Sequence, residues 1–133
     1  MTRINSDLAP RLLKRMHLLA ELREITMVPA SLRRSLRTKS KEAVLKSIPA
    51  NFTLNKGHVT FFYDKLLFLQ LRFVALANEM ARRGYVADRT RINAFDGFDK
   101  DWYGWWTATE ADNAIVQERI DFRISQKPHL YKD

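Results

Sequence analysis

The chain has 133 residues and carries 23 Lys and Arg against 15 Asp and Glu, a formal charge of +8 with the histidines neutral. This length supports one hydrophobic core, so we expect a single domain over residues 1–133. The absence of cysteine excludes disulfides, thiolate catalysis and cysteine-ligated metal sites. The three histidines, His17, His58 and His129, are far apart and lack metal-ligand spacing, so we expect no metal and no cofactor.

The first residues and the longest apolar region bear on where the protein is located. The start lacks the apolar core of a signal peptide, and the apolar region over 66–77 is interrupted by Arg72. We therefore expect a soluble cytoplasmic protein without a membrane partner. The excess of positive charge, with aromatic residues nearby, favours an anionic partner such as nucleic acid.

Glycine and proline, four of each, fall where helices would begin and end, and the overall pattern is all-α. Asp7 and Pro10 open a first helical stretch, and Pro29 restarts it. A short helix is predicted over 41–48, and 51–56 is a connector.

The longest periodic segment, 58–83, is predicted as one continuous helix and the central scaffold, with a left-handed cap at Gly84. The stretch 85–107 has no period and is rich in aromatic residues. A third long helix is predicted to start at Thr107, whose spacing to Glu110 suggests a capping box. The expected fold is therefore all-α, with about three main helices and an aromatic-rich loop.

Charged residues in the first helix share one face, because His17, Glu21 and Glu24 stand at i, i+4 and i+7. By itself this spacing is typical of a solvated charged stripe. A second candidate is His58, which opens the long helix beside Gly57. It can cap the helix, pack in the core or bind a ligand, and a structural role is favoured over a catalytic one.

Two basic surfaces and one aromatic cluster are each open to two interpretations. Arg119, Arg123 and Lys127 form an edge of the last helix that either contacts phosphate or is merely solvated. A second basic patch either extends a DNA footprint or adds solubility; it comprises Arg33, Arg34, Arg37, Lys39, Lys41 and Lys46. The tryptophans at 102, 105 and 106 either stack on bases or close the core.

Several segments resemble one known family. Residues 57–65 read Gly-His-Val-Thr-Phe-Phe-Tyr-Asp-Lys, preceded over 48–55 by Ile-Pro-Ala-Asn-Phe-Thr-Leu-Asn. Together they resemble the pyrimidine-dimer DNA glycosylases, small viral and bacterial repair enzymes of the phage endonuclease V type. Residues 1–5, 17–24 and 128–132 are similar to the same family and occur in the same order. The resemblance therefore spans nearly the whole chain.

The resemblance implies an enzyme that removes a base at an ultraviolet photoproduct and then cuts the strand by elimination at the abasic sugar. It implies that the nucleophile is the α-amine of Thr2, exposed after loss of Met1, and that Glu24 is the essential carboxylate. An α-amine has a pKa of about 7.7 to 8.0 against about 10.4 for lysine, so it is a ready imine former near neutral pH.

The same resemblance implies a threaded N-terminal segment and a set of DNA contacts. In this family the chain start passes between helices, and a kinked duplex has a nucleotide extruded. The implied binding residues are Arg3, His17, Arg23, Arg119, Arg123, Tyr131 and Lys132. We expect a monomer acting on double-stranded DNA that contains a pyrimidine dimer or an abasic site.

Three positions depart from the family pattern. Leu22 stands where tyrosine is common, Met27 where arginine is common and Leu130 where tryptophan is common. The amine and the carboxylate are retained, so the lyase chemistry is expected to persist while the photoproduct preference is open. The alternatives are the same chemistry on another lesion, such as a ring-opened purine or an abasic site alone, and a noncatalytic basic DNA-binding protein.

Overall fold

A computed structural model describes residues 3–131, and its regular structure is helical. Within that range the β-structure is one isolated antiparallel bridge, between Lys65 and Tyr103. The all-α prediction is confirmed. The six α-helices, with their bounds, are α1 (Arg15–Glu24), α2 (Met27–Thr38), α3 (Lys41–Lys46), α4 (His58–Phe61), α5 (Leu66–Arg82) and α6 (Glu110–Gln126). No helix of the described residues has the length and apolar composition needed to cross a membrane.

Helix α5 is the centre of the core. Its apolar side chains recur every three or four residues, and those on its inner face are buried. Helix α1 and the 3₁₀ turn Arg89–Phe95 pack against it. The helix ends as predicted, since Gly84 adopts a left-handed conformation (φ 91°) and the Tyr85 amide donates back to the Met80 carbonyl at 2.9 Å.

The prediction of one continuous helix over 58–83 is wrong, because the chain breaks between α4 and α5. At the break the Asp64 carbonyl accepts a hydrogen bond from the Gly104 amide at 3.0 Å, and Lys65 pairs with Tyr103. A Cβ atom on Gly104 would lie 2.3 Å from the Asp64 carbonyl oxygen. The close approach of a distant loop therefore replaces one helical turn, which sequence periodicity does not register.

The first helical stretch also starts later and divides differently than predicted. Pro10–Leu12 forms a 3₁₀ turn, and α1 begins only at Arg15. Helix α2 begins at Met27, so Pro29 lies in its first turn, where a missing amide hydrogen costs no intrahelical bond.

The N-cap of α6 is Thr109, two residues later than the predicted Thr107. The capping box is formed by Thr109 and Asp112, whose side chains each accept a hydrogen bond from the other residue's backbone. Thr107 does not cap the helix; its hydroxyl accepts a hydrogen bond from the Trp105 indole at 3.3 Å. Two Thr-x-x-acid spacings overlap here, and the second one starts the helix.

The aromatic loop mainly closes the core. Trp102 is buried, and Trp106 stacks on Phe52 with ring centroids 5.3 Å apart. Trp106 also meets Phe61 edge-on at 5.4 Å. Trp105 is the exception, with 56% of its surface exposed. The core interpretation therefore holds for two of the three tryptophans.

The N-terminal segment over 3–8 is threaded through the helical core, as the resemblance implied. Ile4 is fully buried, Asn5 hydrogen-bonds to Glu21 of α1, and the Ser6 hydroxyl donates to Asn113 of α6 at 2.7 Å. The segment is thus tied to two helices by side-chain bonds, and it reaches the surface between them.

Candidate active site

A cavity of about 260 Å³ opens where the N-terminal segment, α1, α6 and the chain after α6 meet. It is lined by Arg3, Asn5, Met16, His17, Ala20, Glu21, Glu24, Arg119, Ile120, Arg123 and Tyr131. The cavity therefore brings together most of the residues that the sequence singled out. No group of three or more His, Asp or Glu side chains within residues 3–131 is arranged to ligate a metal ion.

Glu21, at the floor of the cavity, belongs to a buried ion pair. Arg72 of α5 donates from Nε to Glu21 Oε2 at 2.7 Å and from Nη2 to Oε1 at 3.0 Å. The two side chains are 5% and 0% exposed. Arg72 also donates to the Leu8 carbonyl, and the Asn5 amide donates to Glu21 at 2.9 Å. A solvated stripe is therefore the wrong interpretation for Glu21, which is a structural anchor.

Glu24 lies one turn further along α1, half-buried at the cavity wall. Its Oε2 accepts a hydrogen bond from the backbone N–H of Arg3 at 3.2 Å. Burial raises the pKa of the Glu24 carboxyl, while the Arg3 hydrogen bond and the charges of Arg3 and Arg23 oppose that rise. The carboxylate thus faces the first described residue of the chain in a partly desolvated place.

Arginine side chains surround that carboxylate. Arg3 donates from Nη1 to the Leu54 carbonyl at 2.9 Å, which holds it against the connector before α4. Burial lowers the pKa of Arg3, and the charges of Arg119 and Arg123 lower it further. Burial and Arg123 likewise lower the pKa of Arg119, while Glu24 opposes this. Such mutual repulsion shows a local excess of positive charge, which an anion entering the cavity would relieve.

An aromatic pair also lines the cavity. The rings of His17 and Tyr131 stack with centroids 4.5 Å apart and planes 13° from parallel. The pair joins α1 to the chain after α6.

A family model described as pyrimidine dimer DNA glycosylase matches residues 1–93 of the chain. The chain belongs to this family. The match covers α1 to α5 and hence both carboxylates of α1, Glu21 and Glu24. Helix α6 of this chain, which contributes Arg119 and Arg123 to the cavity, lies after the matched residues.

One of the predicted site residues, Arg23, lies outside this cavity. Arg23 is exposed and lines a neighbouring cavity with Leu19 and Arg91, and its backbone carbonyl accepts a hydrogen bond from Arg91 at 2.9 Å. It influences Glu24 only through its charge. Thr2 and Lys132 lie outside the described residues.

The positions that depart from the family pattern differ in exposure. Leu22 is buried in the core, whereas Met27 and Leu130 are 45% and 43% exposed. In this pyrimidine dimer DNA glycosylase the change at Leu22 therefore concerns packing. The changes at Met27 and Leu130 concern the surface.

Two residues of the second basic patch have structural roles. Arg33 donates to the carbonyls of Ala94 and Asp96 and lies over the Phe98 ring at 4.4 Å. Lys41 forms ion pairs with Asp99 at 2.8 Å and with Asp101 at 2.5 Å, both in the loop before α6. Arg33 and Lys41 therefore hold the aromatic loop against α2 and α3. The other residues of the second basic patch stay available to bind an anion.

Sequence reasoning missed the partners of three residues near the site: Arg72, Asn113 and His58. A lone arginine in an apolar helix signals a buried partner, so the interruption by Arg72 was a usable sign. Asn113 carries no such sign, because exposed asparagines are common. His58 was recognised as structural, but its partner in the N-terminal segment was not.

Proposed function

We propose that this pyrimidine dimer DNA glycosylase excises cyclobutane pyrimidine dimers and then cleaves the strand as an abasic-site lyase, through an imine on the α-amine of Thr2. The observation that carries the proposal is the hydrogen bond from the Arg3 amide to Glu24. It brings Arg3, the first described residue of the chain, and a carboxylate to the same cavity. We also propose that the whole chain is a single domain and acts as a monomer.

Covalent geometry supports the amine as nucleophile. One peptide unit joins Thr2 to Arg3, so the Thr2 amine cannot be more than about 3.8 Å from the Arg3 amide nitrogen. That nitrogen is 3.2 Å from Glu24 Oε2. The amine and the carboxylate are therefore within reach of one sugar ring, an arrangement that acid–base catalysis requires.

The proposed reaction uses these two groups in sequence. The Thr2 amine attacks C1′ as the bond from C1′ to the base breaks, and Glu24 stabilises the positive charge that develops on the sugar. The ring bond from C1′ to O4′ then opens, O4′ takes the proton that leaves the nitrogen, and an imine remains. Glu24 removes a proton from C2′, and the electrons of that bond expel the 3′ phosphate. A carboxyl whose pKa is raised by burial is a better base for that step than an ordinary one.

The cationic side chains supply the binding part of the proposal. Arg3, Arg119 and Arg123 line the same cavity, where phosphates of a damaged strand would offset their mutual repulsion. The stacked pair of His17 and Tyr131, which lines the same cavity, offers an aromatic surface to a base or sugar. Lys132 is assigned to the same surface, and Arg23 to tuning the Glu24 charge.

The experiment is borohydride trapping with three duplexes that contain a thymine dimer, an abasic site or no damage. Reduction converts an imine into a stable bond, and peptide mass mapping then locates it. An adduct on the Thr2 amine with the dimer duplex is the expected result.

A matched control retains Met1, which displaces the reactive amine by up to about 3.8 Å and should abolish trapping. Trapping with the abasic duplex alone would transfer the activity to another lesion. No adduct from protein that has lost Met1 would leave a noncatalytic DNA-binding protein.

A further inference from the structure

His58 makes two ring hydrogen bonds that connect the N-terminal segment to the helical core. Its Nε2 is 2.9 Å from the amide nitrogen of Ile4, and its Nδ1 is 2.8 Å from the carbonyl oxygen of Thr53. The ring is buried and stands edge-on to Phe52 and Phe62 at 5.6 and 5.5 Å. Nothing in the reaction described above uses this side chain.

The two partners decide the protonation state of the ring. A carbonyl oxygen only accepts, so Nδ1 must carry the proton, and an amide N–H only donates, so Nε2 must offer a lone pair. The neutral ring satisfies both at once. Burial lowers the pKa of His58 to about 4, with the charges of Arg3 and Arg119 acting in the same direction and the bond to Thr53 opposing it. His58 is thus a permanent hydrogen-bond acceptor at neutral pH.

The bond to Ile4 acts together with the bond to Glu24. The amides of Arg3 and Ile4 are consecutive, and each donates to a side chain, one on α1 and the other at the start of α4. Two anchored peptide units in succession fix both the place and the direction of the backbone that leads to Thr2. A single anchor would leave that backbone free to pivot.

We propose that His58 is a positioning residue for the terminal amine, holding the Ile4 amide so that the Thr2 nitrogen is directed at the reacting sugar beside Glu24. The inference rests on the proposed amine chemistry. The alternative is that His58 only fills space among the phenylalanines. The two differ in whether an acceptor atom or merely a ring of this size is required.

Three variants separate these possibilities. His58→Leu removes the acceptor but keeps an apolar side chain, and His58→Gln restores an oxygen acceptor where Nε2 stood. Phe61→Leu is the matched control, because Phe61 belongs to the same buried aromatic cluster and contacts Phe52 and Phe62. Single-turnover trapping on an abasic duplex and the Kd for the same duplex are measured for each variant.

We expect the rate of trapping and the Kd for the duplex to respond differently. His58→Leu slows trapping by about ten- to a hundredfold, the loss associated with misplacing a reacting group by about 1 Å, while Kd stays unchanged. His58→Gln recovers most of the rate, and Phe61→Leu traps like the wild type. Equal losses in His58→Leu and Phe61→Leu, or no recovery with His58→Gln, would overturn the proposal and leave a packing role.

A measurement on the wild-type protein covers the case in which His58→Leu does not fold. A long-range proton–nitrogen spectrum should show His58 with its proton on Nδ1 and a scalar coupling between Nε2 and the Ile4 amide. A ring protonated on Nε2 would contradict the proposal. Failure of the wild type itself to trap at Thr2 would instead contradict the proposed function, so the two failures are distinguishable.

Discussion

The floor and the wall of the cavity each present a glutamate from α1, and the two behave differently. Glu21 is fully buried and bound in two places by Arg72, with Asn5 as a third donor. Glu24 is half-buried and accepts a bond from the Arg3 backbone. One carboxylate is held by a side-chain cation and fixes the structure. The other is held by the backbone and faces the cavity.

The difference shows that position on a helix does not decide what a carboxylate does. Both glutamates share a face with His17, yet α5 supplies a guanidinium to one and the threaded segment supplies an amide to the other. The Glu21 carboxylate is engaged by a forked guanidinium and a side-chain amide, whereas the Glu24 carboxylate accepts a backbone hydrogen bond at the cavity wall. The neighbouring residues therefore make Glu21 a structural anchor and leave Glu24 available for the proposed chemistry.

The largest expected effect comes from Glu24→Gln, which removes the wall carboxylate and keeps an oxygen for the Arg3 amide. We expect strand cleavage to fall by about 10² to 10⁴-fold, the usual contribution of a general base, with Kd for the damaged duplex retained. Folding stability should not fall, because burial disfavours the ionised form at this place. The exposed Glu42 on α3 provides the control, and Glu42→Gln should cleave normally. Unchanged turnover in Glu24→Gln would refute the assignment.

Breaking the buried pair of Glu21 and Arg72 should instead lower the stability of the fold. Arg72→Met leaves Glu21 buried without its cation, and the free energy of unfolding in urea should fall by about 3 to 5 kcal/mol. Arg82→Gln is the matched control, since Arg82 is 66% exposed in its pair with Glu79 and such pairs contribute about 0 to 1 kcal/mol. Equal losses in the two variants would show that the buried pair is no stronger an anchor than the surface pair.

A smaller effect is expected on DNA affinity. Arg119→Gln should weaken binding to damaged duplex and reduce the slope of log K against log salt by about one, because one phosphate contact is lost. Arg37→Gln on the exposed face of α2 is the comparison. An equal change in both slopes would place the second basic patch in the same footprint. No change in Arg119→Gln would remove that residue from the binding surface.

The smallest effect concerns pH. Elimination requires an ionised Glu24, whose pKa is raised by burial, so the rate at which a preformed imine eliminates should fall on acidification at a higher pH than for an ordinary glutamate. The charge of Arg23 lowers that pKa, hence Arg23→Gln should move the acid limb to still higher pH. The shift is expected to be small, because Arg23 is exposed and its charge is screened by solvent and salt. A limb that moves to lower pH would contradict the role of Arg23.

Local spacing predicts much of this molecule. The apolar period identifies α5, and the i, i+4, i+7 spacing places His17, Glu21 and Glu24 on one side of α1. The division between the two glutamates was not predictable, because Arg72 lies 51 positions from Glu21 in the chain. The break before α5 was missed for the same reason, since it depends on a carbonyl meeting the distant Gly104.

Two glycines with different constraints give the sequence an uneven tolerance to mutation. Gly84 has a left-handed backbone with open space where a Cβ would be, so asparagine is an acceptable replacement there. At Gly104 any Cβ collides with the Asp64 carbonyl, and no choice of side chain avoids the collision. In a saturation library we expect position 84 to keep a few variants and position 104 to keep glycine alone. A residue without a side chain thus carries one of the strictest requirements in the chain.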